Sequence, residues 1–313
     1  MTITQLQYVL AVAEHKNFTV AAEKCHVTQP TLSMQIQKVE EELQVQLFDR
    51  SKKPIQITEI GQKIVAQAQN IVNEADRMKD IVDQQKGFIG GEFRLGIIPT
   101  VMPTLLPMFL SNFIKKYPKL RVIIEELNTD DIIFKLKNGH LDAAIAVTPL
   151  EDEKIKEIVL YFEPFVAYIP NGHAISGKKE IEISDLDINK ILLLQDGHCF
   201  RDGILNLCKN KSLKQDDHFS IQSGSFETLI KLADEGLGTT LLPYLHTLDL
   251  KDKDKEKLRA FAEPKPAREV SLIFPKTALK IHIIEALRST IASVVKGAIV
   301  FQNVQIVSPV YKK

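Results

Sequence analysis

Cysteine is scarce in this chain: Cys25, Cys199 and Cys208 are the only three among 313 residues. That is too few for a disulfide-stapled secreted fold. No apolar run approaches the roughly 18 residues that a membrane-spanning helix needs. Net charge is missing as well, since forty Lys and Arg balance forty Asp and Glu. Nothing global therefore draws the chain to nucleic acid or to a membrane, and any such partner must be read from local features. The opening MTITQLQYVLAVAEHKN has no basic leader and no cleavage site, and Glu14 interrupts its apolar stretch. No signal peptide is expected, and a reducing cytoplasm is the expected location. A composition 44% hydrophobic and 26% charged excludes disordered, collagen-like and low-complexity classes.

Glycine is absent until Gly61, and residues 1–57 read as helices, turns and a short hairpin. Leu6, Val9, Leu10 and Ala13 recur at helical spacing. Thr19 to Lys24 predicts a second short helix, in which Ala21 and Ala22 allow close packing. A third starts at Thr28 with Pro30 in its first turn, and Leu32, Ile36, Val39 and Leu43 form its buried stripe. Pro30, Met34, Gln37 and Lys38 then point outward, flanked by Thr31 and Ser33. Helix, tight turn and a helix with a small polar outer face is the helix-turn-helix pattern. Arg50 to Lys53, followed by Ile55 to Ile57, reads as a basic wing. The segment holds six basic and six acidic residues, so distribution has to carry any affinity for phosphates. The acids Glu40 to Glu42 sit at the far end of the third helix, while Arg50, Lys52 and Lys53 gather on the wing. A small helical dimerisation domain is the competing reading.

Residues 58–87 predict one long helix, capped by Thr58 and ended by Gly87. Ile64, Ala68, Ile71, Ala75, Met78 and Val82 repeat at 4, 3, 4, 3 and 4, a heptad seam. Such a seam suits a linker helix that also dimerises the chain; a helix packed on its own domain is the alternative. From Gly90 strands and helices alternate. The strand 93–97, an apolar helix to Tyr117, LRVIIEEL, a helix to about Gly139 and LDAAIAV give βαβαβ and a mostly parallel sheet. A second set follows: strand 162–170, strand 191–197, the stretch 220–245, strand 269–275 and a helix from Ala278 to about Val295. The expected organisation is 1–57, 58–87 and 88–313, an α/β chain whose last part has two lobes. A ligand crevice is expected outside the strand ends.

Thr100, Thr129, Ser223 and Ser225 sit at strand ends where helices begin, which makes them plain N-caps or parts of that crevice. Cys199 lies in GHCFRD beside His198 and Arg201, and cationic neighbours raise a thiolate fraction. Cys208 lies nine residues on. If residues 201–209 are helical, the two Cα atoms stand about 10–14 Å apart, whereas a disulfide needs about 4.4–6.8 Å. Three readings fit: two unrelated buried thiols, a zinc site from His198, Cys199, Cys208 and His218, or a peroxide-sensing thiol with a resolving partner. The spacing matches no structural zinc pattern. Cys25 reads as structural.

The stretch FTVAAEKCHVTQPTLSMQIQKVEEELQVQLFDR, then ITEIGQKI, resembles the LysR-type transcriptional regulators, and the resemblance covers nearly the whole chain. It implies a winged helix-turn-helix, a linker helix and a two-lobed effector domain like periplasmic binding proteins, assembled as a dimer of dimers. Double-stranded promoter DNA and RNA polymerase are the implied partners; no membrane, cofactor or metal is implied. GHCFRDGILNLC resembles the peroxide-sensing branch of that family. The resemblance implies that hydrogen peroxide oxidises Cys199, that Cys208 resolves it as a reversible disulfide, and that a cellular thiol reductant resets it. It also implies that Thr100, Thr129, His198 and Arg201 hold or polarise the peroxide, with Asp202 and His218 in support. Met34 and Gln44 depart from the family pattern, and the tail VSPVYKK has no reading. The competing functions are a LysR-type regulator of a small metabolite and a stand-alone thiol peroxidase. An enzyme would have no use for residues 1–57, and a solute-binding protein would need a signal peptide.

Overall fold

The computed structural model describes residues 1–85, 89–208, 223–299 and 304–309. Its internal contacts fall into two compact units, Met1–Phe88 with Asn138–His140, and Ile89–Lys137 with Leu141–Lys313.

The first unit begins with α1 (Ile3–His15), α2 (Phe18–Lys24) and α3 (Gln29–Leu43). Local chemistry starts the first two: Thr2 and Gln5 form a reciprocal capping box, and the Asn17 side chain accepts from the amides of Thr19 and Val20. Thr28 occupies the N-cap of α3, but its hydroxyl pairs with that of Thr31 at 2.8 Å rather than with the backbone. Leu32, Ile36 and Val39 are buried against Val9, Val12, Ala21 and Ala22, so the two alanines give the close packing expected of them. Gln44 ends α3 in the left-handed region at φ 54, a position that glycine fills without steric cost. Strands β1 (Phe48–Asp49) and β2 (Gln56–Ile57) pair antiparallel and carry the wing between them.

Helix α4 (Glu59–Gln85) starts from Thr58, whose hydroxyl accepts from the Gly61 amide at 2.9 Å. Its expected end at Gly87 lies outside the described residues. The heptad seam divides in two. Ile64 packs on the helix-turn-helix core, while Ala68 and Ile71, with Val72, pack against Leu6 and Leu10 of α1. Met78 and Val82 are exposed, as is Ile81. The first half of the seam thus serves its own chain.

The second unit opens as expected with β3 (Gly91–Ile97), α5 (Met102–Lys116), β4 (Leu120–Glu126), α6 (Thr129–Lys137) and β5 (Ala143–Thr148). Then come β6 (Ile155–Tyr168), β7 (Glu180–Ile181), α7 (Cys199–Leu207) and α8 (Phe226–Asp234). Strand β8 (Thr240–Pro243), α9 (Tyr244–Leu248), α10 (Asp252–Lys255) and β9 (Leu258–Phe261) follow. Strand β10 (Lys265–Pro275), α11 (Ile281–Val295) and β11 (Val304–Ile306) complete the unit.

The sheet is mixed rather than mostly parallel. Strand β3 pairs parallel with β4 and β5, but β10 runs antiparallel between β5 and β6. The reason is topological: β6 leaves the first lobe for the second and β10 returns from it, so the two run in opposite directions where they pair. The expected strand 191–197 is reduced to one bridge, Ile191 with Thr239. Its run of leucines is apolar because Leu192 and Leu194 are buried in the second lobe; a short apolar run does not distinguish a strand from a buried irregular segment. Two cores result, one around Phe93, Phe109, Ile145 and Leu272, the other around Phe165, Tyr168, Phe200 and Leu241. The long strands β6 and β10 are shared: β6 pairs with β10 over Ile155–Pro164 and with β8 over Phe165–Tyr168.

Candidate functional site

Cys199 is the first residue of α7 and is buried. No side chain caps this helix, so its first amides are open to the sulfur, and the Phe200 amide draws the thiol pKa down. Behind the sulfur stands Arg268 of β10, opposite Glu163 of β6 in the strand register. Its Nε and Nη2 donate to Glu163 Oε2 at 2.9 and 2.7 Å, its Nη1 to Thr100 Oγ1 at 2.8 Å, and Nη2 also to the Thr100 carbonyl at 3.0 Å. The guanidinium lies 5.2 Å from the centre of the Phe200 ring. Glu163 spends its other oxygen on the Leu245 amide at 2.8 Å. A buried pair of this kind holds only because every partner is satisfied.

Burial pushes the Cys199 thiol up, Arg268 and the Thr129 hydroxyl pull it down, and Asp202 adds to the rise; burial wins. The expected lowering by sequence neighbours is therefore corrected. Arg201 turns away, its Nε 2.9 Å from Asp196 and its Nη1 donating to the Leu194 carbonyl. The cation that faces the sulfur is Arg268, sixty-nine residues distant in sequence.

Thr129, Asp202 and Cys199 line one cavity of about 320 Å³, closed further by Asp130, Ile133, Leu150, Gly197 and Pro309. Thr129 Oγ1 is buried and has no hydrogen-bond partner by geometry, which leaves its donor for a sulfur anion or a small guest. Thr100 is joined to this place through Arg268. His198 is not: it lines a second cavity of about 530 Å³ with Glu126, Asn128, Asp131, Gln195 and Ser225. Burial holds its pKa below the ordinary value, with Glu126 acting in the opposite direction. Ser225 is the N-cap of α8, accepting from the Thr228 amide, and Ser223 accepts from the Ser225 amide, so both are spent on local structure. Cys208 ends α7 in the other core, beside Ile204, Leu205 and Val307. Over nine residues of helix the two cysteine Cα atoms stand about 13 Å apart. His218 lies outside the described residues.

Arg268, Glu163 and Tyr161 were not singled out by the sequence reading. Tyr161 is buried with an unpaired hydroxyl, and its pKa is driven well up by burial and by Glu163. The available signal was a charged residue inside each of two apolar strand patterns, FEPFVAYIP and the run ending EVSLIFP.

In the first unit Pro30, Met34, Gln37 and Lys38 are exposed on the outer face of α3, with Thr31 and Ser33 half-buried beside them. Lys52 and Lys53 are exposed on the wing. Arg50 is engaged instead: its Nη2 meets Glu40 at 2.8 Å, its Nη1 donates to Ser33, and its guanidinium lies 5.0 Å from the Phe18 ring centre.

The description "Bacterial regulatory helix-turn-helix protein, lysR family" matches residues 3–62, and "LysR substrate binding domain" matches residues 86–296. The chain therefore belongs to the LysR family of bacterial regulators, a family of DNA-binding proteins rather than enzymes, with a winged helix-turn-helix, a linker helix and a two-lobed, periplasmic-binding-protein-like domain. Several relatives share one theme. It is 35% identical over 88% of its length to the hydrogen peroxide-inducible genes activator of Pectobacterium carotovorum, covering 90% of that protein. It is 34% identical, over 88% of its length and 89% of the relative's, to the dual regulator OxyR of Escherichia coli K12. Among solved structures, a full-length OxyR variant from Pseudomonas aeruginosa superposes with a TM-score of 0.77 at 33% identity, covering 93% of this chain and 98% of that one. A peroxide-bound OxyR mutant of Corynebacterium glutamicum gives 0.62 at 29% identity, covering 95% and 93%. Among the described residues no helix is long and apolar enough to cross a membrane.

Proposed function

We propose that this chain is a peroxide-responsive regulator of oxidative-stress genes, switched by a reversible bond between Cys199 and Cys208. The observation that carries the reading is one helix with a thiol at each end, the first set at a cavity that Thr129 and Asp202 also line and the second sealed in another core. The relatives named as peroxide-inducible activators support it. In the first step the Cys199 thiolate attacks one peroxide oxygen, the O–O bond breaks, and hydroxide leaves; Cys199 becomes a sulfenic acid. Arg268 and Thr129 supply positive potential and a proton donor at that oxygen, with Thr100 holding Arg268 in place. The Cys208 sulfur then displaces the sulfenic hydroxyl, which departs with the thiol proton as water. Bond formation requires α7 to unwind, because its rise keeps the sulfurs too far apart. His198 and Arg201 serve by shaping the 194–198 loop, and Asp202 tunes the cavity's charge.

At the other end, the outer face of α3 (Pro30, Thr31, Ser33, Met34, Gln37, Lys38) reads bases in promoter DNA, and Lys52 and Lys53 hold phosphates. Arg50 positions the wing on α3. The second half of the seam, half-buried Ala75 with exposed Met78 and Val82, joins two copies, while Ile64 anchors α4 to the helix-turn-helix core and Ala68 and Ile71 anchor it to α1. A dimer of dimers, RNA polymerase and a cellular thiol reductant complete the proposed partners.

The test is mass spectrometry after one equivalent of peroxide. Wild type should give a 199–208 crosslinked peptide, Cys199→Ser no reaction, and Cys208→Ser a trappable sulfenic acid. An uncrosslinked wild type whose operator response persists would overturn the switch and leave the metabolite reading.

A further inference from the structure

The tail resists reading as sequence, yet its described part is built into the sensing unit at four points. Strand β11 pairs parallel with β10, Lys265 to Ala267 opposite Val304 to Ile306. The Val307 amide continues the ladder, donating to the Ala267 carbonyl at 2.8 Å. The Val307 side chain is buried in the core that holds Ile204 and Cys208. The Ser308 carbonyl accepts from Asn206 Nδ2 of α7 at 2.8 Å, and Pro309 reaches the wall of the Cys199 cavity. The segment thus starts on the strand that carries Arg268, crosses the last turn of α7 and ends beside the first.

We infer that residues 304–309 are a strap that holds α7 in its helical form and so sets how fast the second thiol can reach the first. Asn206 and Val307 are its positioning residues. Neither lines the Cys199 cavity, although Val307 shares a core with Cys208; each ties the helix that must unwind to a strand that need not move. The inference rests on the thiol-switch reading above. It concerns only the closing step, in which the Cys208 sulfur replaces the sulfenic hydroxyl and water leaves, and not the attack on peroxide.

Two variants separate a strap from a mere contribution to folding. Asn206→Ala removes the bond to Ser308 while improving helix propensity. If the strap governs α7, Asn206→Ala closes the bond faster; if only helix stability matters, it closes more slowly or at the same rate. Val307→Asp places a charge in the apolar seat of the strap, and Val307→Ile keeps the seat filled. The full-length protein is mixed with peroxide, and closure is followed by quenched-flow alkylation and mass spectrometry. Asn206→Ala and Val307→Asp should close about tenfold faster, the rate equivalent of about 1.4 kcal/mol of lost restraint. Val307→Ile should match wild type. In a Cys208→Ser background the rate of sulfenic acid formation should stay within about twofold of the unsubstituted strap. Closure at the wild-type rate in both Asn206→Ala and Val307→Asp overturns the strap. The same comparison is made with glutathione disulfide, where the Cys208 sulfur displaces glutathione thiolate from a mixed disulfide on Cys199. If that reagent closes the bond and peroxide does not, the peroxide reading fails alone and the closure rates still judge the strap. A bond formed by neither oxidant in any variant overturns both.

Discussion

Among the described residues, each unit of this protein holds an arginine between a carboxylate and an aromatic ring, and the two pairs behave differently because of where they stand. Arg50 meets Glu40 at 2.8 Å over Phe18, with side-chain exposures of 40% and 11%. Arg268 meets Glu163 at 2.7 Å over Phe200, with exposures of 3% and 1%. The chemistry is the same. Water screens the first pair, so it contributes about 1 kcal/mol or less and fixes geometry. The second has lost its water, so it is costly to break, and its residual field reaches Cys199 and Tyr161.

Breaking the buried pair should have the largest effect. Arg268→Ala strands the Glu163 carboxylate and should cost about 3–5 kcal/mol in urea unfolding. The double variant Arg268→Met with Glu163→Met should regain most of that stability without regaining Cys199 alkylation at neutral pH. Recovery of both would show that Arg268 acts on the fold and not on the sulfur. Next comes Thr129→Val, which keeps the shape and removes the donor. Alkylation of Cys199 should slow about tenfold, as loss of one hydrogen bond to an anion implies, and its pH profile should move upward. An unmoved profile would place Thr129 outside the thiolate's reach.

The exposed pair should yield less. Arg50→Ala should lower stability by about 1 kcal/mol and leave the salt dependence of operator binding unchanged. Lys52→Ala should do the reverse, leaving stability intact and flattening the salt slope by about one unit. If Arg50→Ala also flattens the slope, its guanidinium leaves Glu40 for a phosphate. The smallest effect concerns His198, whose pKa burial holds below 6.5. The unfolded chain binds the extra proton first on acidification, so this contribution is whole above about pH 6.5 and declines as pH falls through the folded value. His198→Asn should therefore lessen the stability lost between about pH 7 and pH 5 by under about 1 kcal/mol. An unchanged acid limb would mean that His198 titrates alike in both states.

The same two arginines show what was legible in the residues alone. Periodicity placed α1 to α4, the wing and the βαβαβ start, because each depends on neighbours within a few residues. Thr129 is legible from its place at a helix start, and Cys199 from the apolar run before it and its cationic sequence neighbours; that Cys199 itself begins a helix is not. Arg201 pairs with Cys199 only by closeness in sequence, and in a helix residues two apart do not face each other. Arg268 reaches the thiol from a strand whose register against β6 is a long-range fact, and no local pattern encodes it. The leucines of 191–194 misled for the same reason: burial was readable, but the missing strand partner was not.

Cys199 sits at the head of a helix whose first amides no side chain occupies, and a helix head favours an anion. On the proposed switch, closing the bond dismantles that helix, so firing also erases the field that helped the thiolate to form. A sensor built this way has a refractory period. After the disulfide is reduced, two free thiols are present before the helix has been rewound, and the chain is chemically reset yet still deaf. The length of that silence, read as the lag between reduction and recovered reactivity of Cys199, would be set by folding rather than by redox chemistry.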